Sequence, residues 1–307
     1  MKAILFPGQG SQTVGMGSEF YSKYEIVKKI FTRADDILKF KISKLILEGP
    51  ESELKLTMNT QPAILTVSYA IFSVLKKEFN FDLKSTNYFA GHSLGEYSAL
   101  VCSESLKFDD ALYLLFERGK AMQEAVPIGK GSMIAILGSK VEEIKDLIKE
   151  TKINGVCEIA NDNAEGQTII SGDIESINEF TDTLKKFKKK YIPLNVSAPF
   201  HCSLMNSAAD KMREKINSIN FMKPNFDIIS NVSSQVENDP EVIKKLLVEQ
   251  IYSTVRWRES ILKMSKANVT DFIEIGPGKV LSGMVKRTIK NINCFSINSI
   301  DDMKKVI

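Results

Sequence analysis

A serine lies between two glycines in the segment GHSLG at residues 91–95. The apolar residues before it are typical of a short buried strand, and the residues after it can be helical. Serine at such a strand-to-helix turn forms a nucleophile elbow, because the turn is too tight for side chains on the flanking glycines and lifts the hydroxyl of Ser93 above the sheet. The next backbone N–H remains free to bind an oxyanion. The motif predicts acyl transfer through an acyl-serine and leaves the acceptor open.

An acyl-serine mechanism also needs a base, and the chain has two histidines. His92 is adjacent to Ser93, and adjacent side chains on a sharp turn diverge, so we expect His92 to brace the turn. His201 follows Pro199, which restricts the loop, and we expect His201 to be the base. The acid that usually holds the imidazole is not obvious, but a main-chain or amide carbonyl can also fix the tautomer.

The bulk properties of the chain exclude several classes of function. It has 307 residues, 43% of them hydrophobic and 26% charged, and a formal net charge of +3, which is too small to indicate nucleic-acid binding. The four cysteines lack metal-ligand or redox spacing, so we expect no metal or cofactor. No stretch approaches the roughly 20 apolar residues of a membrane span. We therefore expect a cytoplasmic enzyme. The glycines near the N-terminus do not have the spacing of a nucleotide-binding loop.

The two ends of the chain alternate between strands and helices, which predicts an α/β fold with a mainly parallel sheet. We expect this large domain to be α/β-hydrolase-like and to span residues 1–127 and 198–307. The predicted strands are 3–6, 88–91, 227–232 and 272–275. The predicted helices are a region up to about residue 40 and the segments 61–79, 109–125, 241–250, 257–266 and 280–290.

The middle of the chain, residues 128–197, has a different pattern. We predict strands at 132–137, 157–160, 168–171 and 191–196 and helices at 141–149 and 174–187, with a loop over residues 161–166. The order βαββαβ between two Gly/Pro breaks is typical of a ferredoxin-like unit. We therefore expect an inserted ferredoxin-like subdomain here. Asp162, Asp173 and Asp182 all fall inside it.

Five segments, taken together and in order, resemble the malonyl-CoA:acyl carrier protein transacylases of type II fatty acid synthesis. The resemblance covers nearly the whole chain, and the set is specific although each motif alone is weak. The segments are FPGQGSQ at 6–12, GHSLGE at 91–96, ERGKAMQ at 117–123, APFH at 198–201 and EIGPG at 274–278.

The resemblance implies a role for each residue of the reacting centre. Ser93 would carry the malonyl group, and His201 would act as general base and then as acid. Backbone N–H groups of Gln9 and Leu94 would form the oxyanion hole. Gln250 matches the residue whose main-chain carbonyl orients the histidine. This would explain why no acidic residue stands out as the group that holds the imidazole. The substrates would be malonyl-CoA and a phosphopantetheine-bearing acyl carrier protein.

Arg118 is implied to bind the free carboxylate of malonyl. A guanidinium can bind both carboxylate oxygens at once, which supports this role independently. The alternative is an exposed helix arginine paired with Glu117 or Glu96, since most helix arginines are solvated. We also expect Phe200 and Met122 to shape the acyl pocket, with the Phe200 ring excluding a methyl group on the acyl α-carbon. The alternative is that Phe200 only packs the loop.

Acyl carrier proteins are acidic, so a basic docking surface is expected. Two groups of residues are candidates. The alternative is that these cations only interact favourably with the dipole at a helix C-terminus and remain solvated, without any partner. The groups are Lys185, Lys186, Lys188, Lys189 and Lys190, and Lys286 with Arg287.

Three rival functions are open at this point. A related transacylase could serve a polyketide or malonate-decarboxylase carrier with the same chemistry. A serine esterase or thioesterase would share the elbow but has no need of Arg118. A catalytically silent carrier-binding protein would have no need of Ser93 or His201. We expect a monomer that transfers malonyl from malonyl-CoA to acyl carrier protein.

Overall fold

The computed structural model describes residues 1–79, 81–196 and 198–306 of the chain. Residues 197 and 307, at which two predicted domain limits fall, lie outside the described residues. The strands are β1 Lys2–Phe6, β2 Thr86–Gly91, β3 Gly131–Leu137, β4 Cys157–Ala164, β5 Gln167–Asp173, β6 Lys190–Pro193, β7 Asp227–Ile229, β8 Val236–Glu237, β9 Asp271–Ile275 and β10 Asn293–Ile297. The helices are α1 Ser18–Lys23, α2 Glu25–Leu38, α3 Ile42–Glu48, α4 Glu51–Leu54, α5 Thr57–Glu78, α6 Gly95–Cys102, α7 Phe108–Glu124, α8 Val141–Thr151, α9 Ile174–Lys186, α10 Asn206–Ser218, α11 Pro240–Glu249, α12 Trp257–Lys266, α13 Val280–Thr288 and α14 Ile300–Met303.

A six-stranded sheet in the order β10-β9-β1-β2-β7-β8 forms the centre of the larger part of the chain. Every neighbouring pair is parallel except β7 with β8. The mixed α/β class and the mostly parallel sheet predicted from the sequence are thus confirmed. The carboxyl ends of β1 and β2 lie together, because Phe6 pairs with Gly91. Ligands in such sheets bind beyond the carboxyl ends of the strands, and the GHSLG segment begins there.

Helices cover both faces of this sheet, which is why its central strand β1 is almost wholly apolar. Residues 3–6 of β1 are fully buried. On one face the ring of Phe6 packs edge-on against Phe72 of α5 at 6.2 Å and against Phe89 of β2 at 5.9 Å between ring centroids. Burial of each such side chain contributes about 2–3 kcal/mol. The elbow is therefore supported by a well-packed hydrophobic core. None of the helices in the described ranges is long and apolar enough to cross a membrane.

A separate antiparallel sheet in the order β4-β5-β3-β6 lies within residues 131–193. Helices α8 and α9 pack on it through apolar side chains such as Ile144 and Phe180. Asp173 caps α9, since its side chain accepts a hydrogen bond from the Ser176 N–H.

The predicted loop over residues 161–166 is wrong, because β4 continues to Ala164. The polar residues at 161–163 are buried, and each has a tertiary contact. Asn161 forms a bridge to Val255, and Asp162 accepts hydrogen bonds from the Arg258 guanidinium at 2.9 and 3.0 Å. These contacts outweigh the low strand propensity of asparagine and aspartate.

Candidate active site

The nucleophile elbow occupies the three residues between the end of β2 and the start of α6, together with the glycine on each side. Ser93 has φ +51°, a left-handed conformation that is rare for a residue with a side chain and costs about 1–3 kcal/mol. A Cβ on Gly91 would lie 1.9 Å from the carbonyl of Gly95, and one on Gly95 would lie 2.2 Å from the carbonyl oxygen of Phe6. The two glycines are thus required by close backbone contacts on both sides of Ser93.

An asparagine that the sequence reasoning missed holds this strained turn. The Oδ1 atom of Asn231 accepts a hydrogen bond from the Ser93 N–H at 2.7 Å, and its Nδ2 donates to the Gly91 carbonyl at 2.7 Å. Asn231 is fully buried just beyond the end of β7. No local motif marks an asparagine at this place, because its partners are some 140 residues away in sequence.

The Ser93 hydroxyl donates a hydrogen bond to Nε2 of His201 at 2.8 Å. On the other side of the ring, Nδ1 of His201 donates to the main-chain carbonyl of Gln250 at 2.8 Å. A carbonyl can only accept, so this bond puts the ring proton on Nδ1 and leaves Nε2 free to take a proton. Gln250 is the C-cap of α11, and the partial negative charge at a helix C-terminus favours a positively charged imidazole.

His201 is almost completely buried, at 5% exposure. Burial and then the nearby charge of Arg118 lower the pKa of His201 to about 3, although the hydrogen bond to Gln250 acts in the opposite direction. The imidazole is therefore neutral at neutral pH, which is the form that can accept the proton of Ser93.

His92 points away from this pair. Its Nε2 donates a hydrogen bond to Oδ1 of Asn163 on β4 at 2.8 Å, and its ring packs edge-on against Trp257 at 5.5 Å between centroids. Burial lowers the pKa of His92. His92 thus links the elbow to the antiparallel sheet.

Arg118 projects from α7 into the site and is 1% exposed. Its Nη1 donates to Oε1 of Gln61 at 2.7 Å, and its Nη2 donates to Oε1 of Gln250 at 2.8 Å and to Oγ of Ser93 at 3.2 Å. Within the described part of the chain no carboxylate lies in salt-bridge range of its guanidinium, and its Nε lacks a partner. Glu117 forms an ion pair with Lys215 instead, at 3.0 Å.

A buried guanidinium without a carboxylate is costly, and burial lowers the pKa of Arg118. The guanidinium directly adjoins the nucleophile. The site is thus suited to an acyl group that carries its own carboxylate.

A cleft of about 590 Å³ opens onto Ser93 and is lined by loops and helices around the parallel sheet and by strands of the antiparallel sheet. Gln9 and Leu94 line it beside the nucleophile, and among the described residues no acceptor takes their backbone N–H groups. Met122 and Phe200 also line it, as do Met133 and Ile169 of the antiparallel sheet. Across the ranges that the structure describes, no group of three His, Cys, Asp or Glu side chains could hold a metal ion.

The two basic groups differ in their position relative to the cleft. Helix α13 lines the cleft through Val280, Leu281 and Met284, and it carries Lys286 and Arg287 in its last turn. The five lysines between residues 185 and 190 do not line the cleft. Two of these lysines already have acidic partners. Lys185 pairs with Asp182 at 2.9 Å, and Lys189 pairs with Glu143.

Comparisons with known proteins agree with this geometry. The chain matches the acyl transferase domain family over residues 4–306. It is 43% identical over 307 residues to the malonyl CoA-acyl carrier protein transacylase of Bacillus subtilis. The alignment covers 99% of this chain and 96% of that protein. An acyl carrier protein S-malonyltransferase structure from Vibrio cholerae superposes with a TM-score of 0.96, at 39% identity, over 100% of this chain and 99% of that one.

A structure of a type II PKS acyl-carrier protein in complex with its malonyl-transacylase is also similar, with a TM-score of 0.95 and 39% identity over 99% of this chain and 98% of that one. These similarities extend over both sheets and the cleft between them. The chain therefore belongs to the malonyl-CoA:acyl carrier protein transacylase family.

Proposed function

We propose that this protein transfers the malonyl group of malonyl-CoA to the phosphopantetheine thiol of an acyl carrier protein, in support of fatty acid elongation. The observation that carries this proposal is the buried Arg118 guanidinium, which lies 3.2 Å from Ser93 Oγ and has no carboxylate partner among the described residues. A malonyl thioester presents an electrophilic carbonyl to Ser93 and a carboxylate to Arg118. The names of the relatives agree with this substrate.

In the first half-reaction, Ser93 Oγ attacks the thioester carbonyl while its proton passes to Nε2 of His201. The negative charge that develops on the carbonyl oxygen is stabilised by the N–H groups of Gln9 and Leu94. Collapse of this intermediate breaks the C–S bond. The departing CoA thiolate takes the proton from His201 and leaves malonyl as an ester on Ser93.

The second half-reaction reverses these roles with a different thiol. His201 removes the proton of the carrier's phosphopantetheine thiol, and the thiolate attacks the malonyl ester. The C–O bond then breaks, and Ser93 recovers its proton from His201. Both steps use the same groups, which is the basis of a ping-pong mechanism.

The malonyl carboxylate also assists the base. Arg118 disfavours the protonated form of His201, and a carboxylate bound to Arg118 would compensate that charge. An acyl group without a carboxylate would not compensate the charge of Arg118, so protonation of His201 would remain unfavourable. Arg118 thus favours malonyl over acetyl both in binding and in proton transfer.

We propose that Phe200 and Met122 set the size of the acyl group. Phe200 adjoins His201, and both Phe200 and Met122 line the cleft. If the Phe200 ring crowds the α-carbon, Phe200→Ser should lower the ratio of kcat/KM for malonyl-CoA over methylmalonyl-CoA. An unchanged ratio would leave Phe200 with a packing role only.

We propose Lys286 and Arg287 as the docking surface for the acidic carrier, because their helix borders the cleft. The double charge reversal Lys286→Glu/Arg287→Glu should raise KM for the carrier and leave KM for malonyl-CoA unchanged. Lys185→Glu/Lys186→Glu is the matched control on the other basic group. Equal changes in both KM values, or a larger effect of the control, would contradict this surface.

We propose further that the antiparallel sheet is a ferredoxin-like subdomain inserted at residues 128–197 into an α/β-hydrolase-like domain, a classification that its strand order supports. We also infer a cytoplasmic monomer that needs no cofactor. The four cysteines have free thiols, as is usual in a reducing compartment, and every reacting group in the mechanism belongs to the protein or the substrates.

The direct test of the function is the intact mass of the protein after mixing with malonyl-CoA, with Ser93→Ala as the control. We expect a malonyl adduct that persists without acceptor and disappears when carrier is added, while malonyl-carrier accumulates. A thioesterase would instead release malonate in water without a lasting adduct. Carriers of fatty acid and polyketide synthesis, compared side by side, would separate the two transacylase functions.

A further inference from the structure

Glu96 is a buried carboxylate beside the reacting groups that the mechanism above does not use. It lies in the first turn of α6, directly after the elbow, and is 2% exposed. Its Oε2 accepts a hydrogen bond from Nε2 of Gln250 at 2.6 Å and another from the Asn231 N–H at 3.2 Å. Both partners support the site, since the Gln250 carbonyl holds His201 and the Asn231 side chain holds the Ser93 amide.

The Gln250 side chain connects Glu96 to Arg118. Its Oε1 accepts the hydrogen bond from Arg118 Nη2 at 2.8 Å, and its Nε2 donates to Glu96 and, at 3.1 Å, to the Ser93 carbonyl. A guanidinium can only donate and a carboxylate can only accept. One orientation of the amide therefore satisfies both neighbours, with the oxygen toward Arg118 and the nitrogen toward Glu96.

We propose that Glu96 is a positioning residue, whose carboxylate fixes the orientation of the Gln250 amide so that the amide oxygen holds the Arg118 guanidinium beside Ser93 to receive a carboxylated acyl group. The proposal rests on the proposed malonyl transfer. Glu96 touches no reacting atom and acts through Gln250. Without its charge, the longer bond to the Ser93 carbonyl, at 3.1 Å, is the main contact left to hold the amide nitrogen. The amide can then turn and present N–H groups to Arg118, which would push the guanidinium away.

Glu96 also supplies the negative charge that the buried guanidinium otherwise lacks, at the far end of the amide. The charged and titratable groups that interact with it are Arg118 of α7, Glu237 of β8 and Tyr97 of α6. Burial raises the pKa of Glu96 to about 7, although its bonds to Gln250 and Asn231 and the charge of Arg118 oppose this. Burial also raises the pKa of Tyr97 to about 12, so the Tyr97 hydroxyl does not ionise near neutral pH.

The isosteric substitution Glu96→Gln tests the proposal through substrate selectivity. Pre-steady-state rates of Ser93 acylation are measured with malonyl-CoA and with acetyl-CoA, which differ only in the carboxylate. We expect the variant to lower the malonyl-to-acetyl ratio about tenfold, equivalent to 1.4 kcal/mol, through slower malonyl transfer. Asp35→Asn, which removes a buried carboxylate bonded to Ser43 far from the cleft, should leave the ratio unchanged.

The wild-type enzyme provides a second measurement that does not depend on folding of the variant. The malonyl-to-acetyl ratio should rise between pH 5.5 and pH 8.5 with a midpoint near 7, as Glu96 loses its proton. Titration of the CoA moiety affects both substrates and cancels in the ratio, and the pKa of His201, lowered to about 3 by burial and then by Arg118, lies below this pH range. The rise should be absent in folded Glu96→Gln.

Two outcomes would overturn the inference. One is a wild-type ratio that does not change with pH, and the other is a folded Glu96→Gln variant with the wild-type ratio. Failure of the wild-type enzyme to form any malonyl-Ser93 would instead contradict the proposed function itself.

Discussion

The two sides of the cleft contribute different kinds of side chain. On the side of the parallel sheet, Ser93, His201, Arg118 and Gln250 are hydrogen-bonded to one another in a buried polar network. On the side of the antiparallel sheet, Met133 and Ile169 provide apolar walls and Asn163 provides an amide. The difference indicates that the chemistry takes place on the side of the parallel sheet, while the antiparallel side contributes walls to the space for the acyl-pantetheine chain.

The two sides also differ in how they hold their polar groups. Asp162 of the antiparallel sheet has a direct ion pair with Arg258 at 2.9 Å. The charges of Glu96 and Arg118 are instead connected through the neutral Gln250 amide. A direct ion pair gives stability but leaves no capacity for a ligand. The indirect arrangement leaves Arg118 able to bind another carboxylate.

The largest expected effect separates the two histidines. His201→Ala should lower kcat/KM for malonyl-CoA by about a thousandfold, because His201 is the one proton acceptor within reach of the Ser93 hydroxyl among the described residues. His92→Ala, the matched control, removes a link to Asn163 on the antiparallel side and should cost less than about tenfold. Steady-state kinetics measures both. Comparable losses in the two variants would contradict the assignment of the base.

Next in size is the effect of the asparagine that supports the elbow. Asn231→Ala leaves the Ser93 N–H buried without an acceptor, and we expect a fall in kcat of about tenfold to a hundredfold with little change in KM. Asn163→Ala on the opposite side is the comparison, with the smaller effect on kcat. If KM rises and kcat is unchanged, Asn231 does not position the nucleophile.

A smaller effect should appear in stability alone. Asp162→Asn weakens the pair with Arg258 between β4 and α12, and we expect the free energy of unfolding to fall by about 2 kcal/mol. Urea denaturation measures this change. Single-turnover acylation of the folded variant should remain within about twofold of the wild-type rate, since no charged partner of Arg118 is altered. A large loss of acylation rate would show that the antiparallel side takes part in the chemistry.

Much of this arrangement could be predicted from local sequence patterns. The elbow is a local signal, because its two glycines and serine meet within five residues. The predicted bounds of helices with clear apolar periodicity also lie close to the observed ones. For α12 the predicted first and last residues are the observed ones. Edge strand β10 and helix α10 were missed, since β10 is only half-buried along most of its length and α10 is strongly polar.

The parts of the site that the residues alone did not indicate depend on contacts between distant segments. Asn231 has no local sequence signal, and only the fold brings it to the elbow. The sequence suggested Glu96 only as a direct partner of Arg118, and only the fold places the Gln250 amide between the two. The carbonyl that holds His201 belongs to the main chain, so no residue type marks it. It was found through the resemblance to known transacylases.

The most direct test concerns Arg118 as the receptor for the acyl carboxylate. Rates of Ser93 acylation by malonyl-CoA and acetyl-CoA should be measured for the wild type, Arg118→Ala and Arg118→Lys. We expect Arg118→Ala to lower the malonyl-to-acetyl ratio by about a hundredfold while acetylation persists, and Arg118→Lys to retain part of the preference. A ratio that is unchanged in Arg118→Ala would contradict the central claim that this arginine selects the substrate.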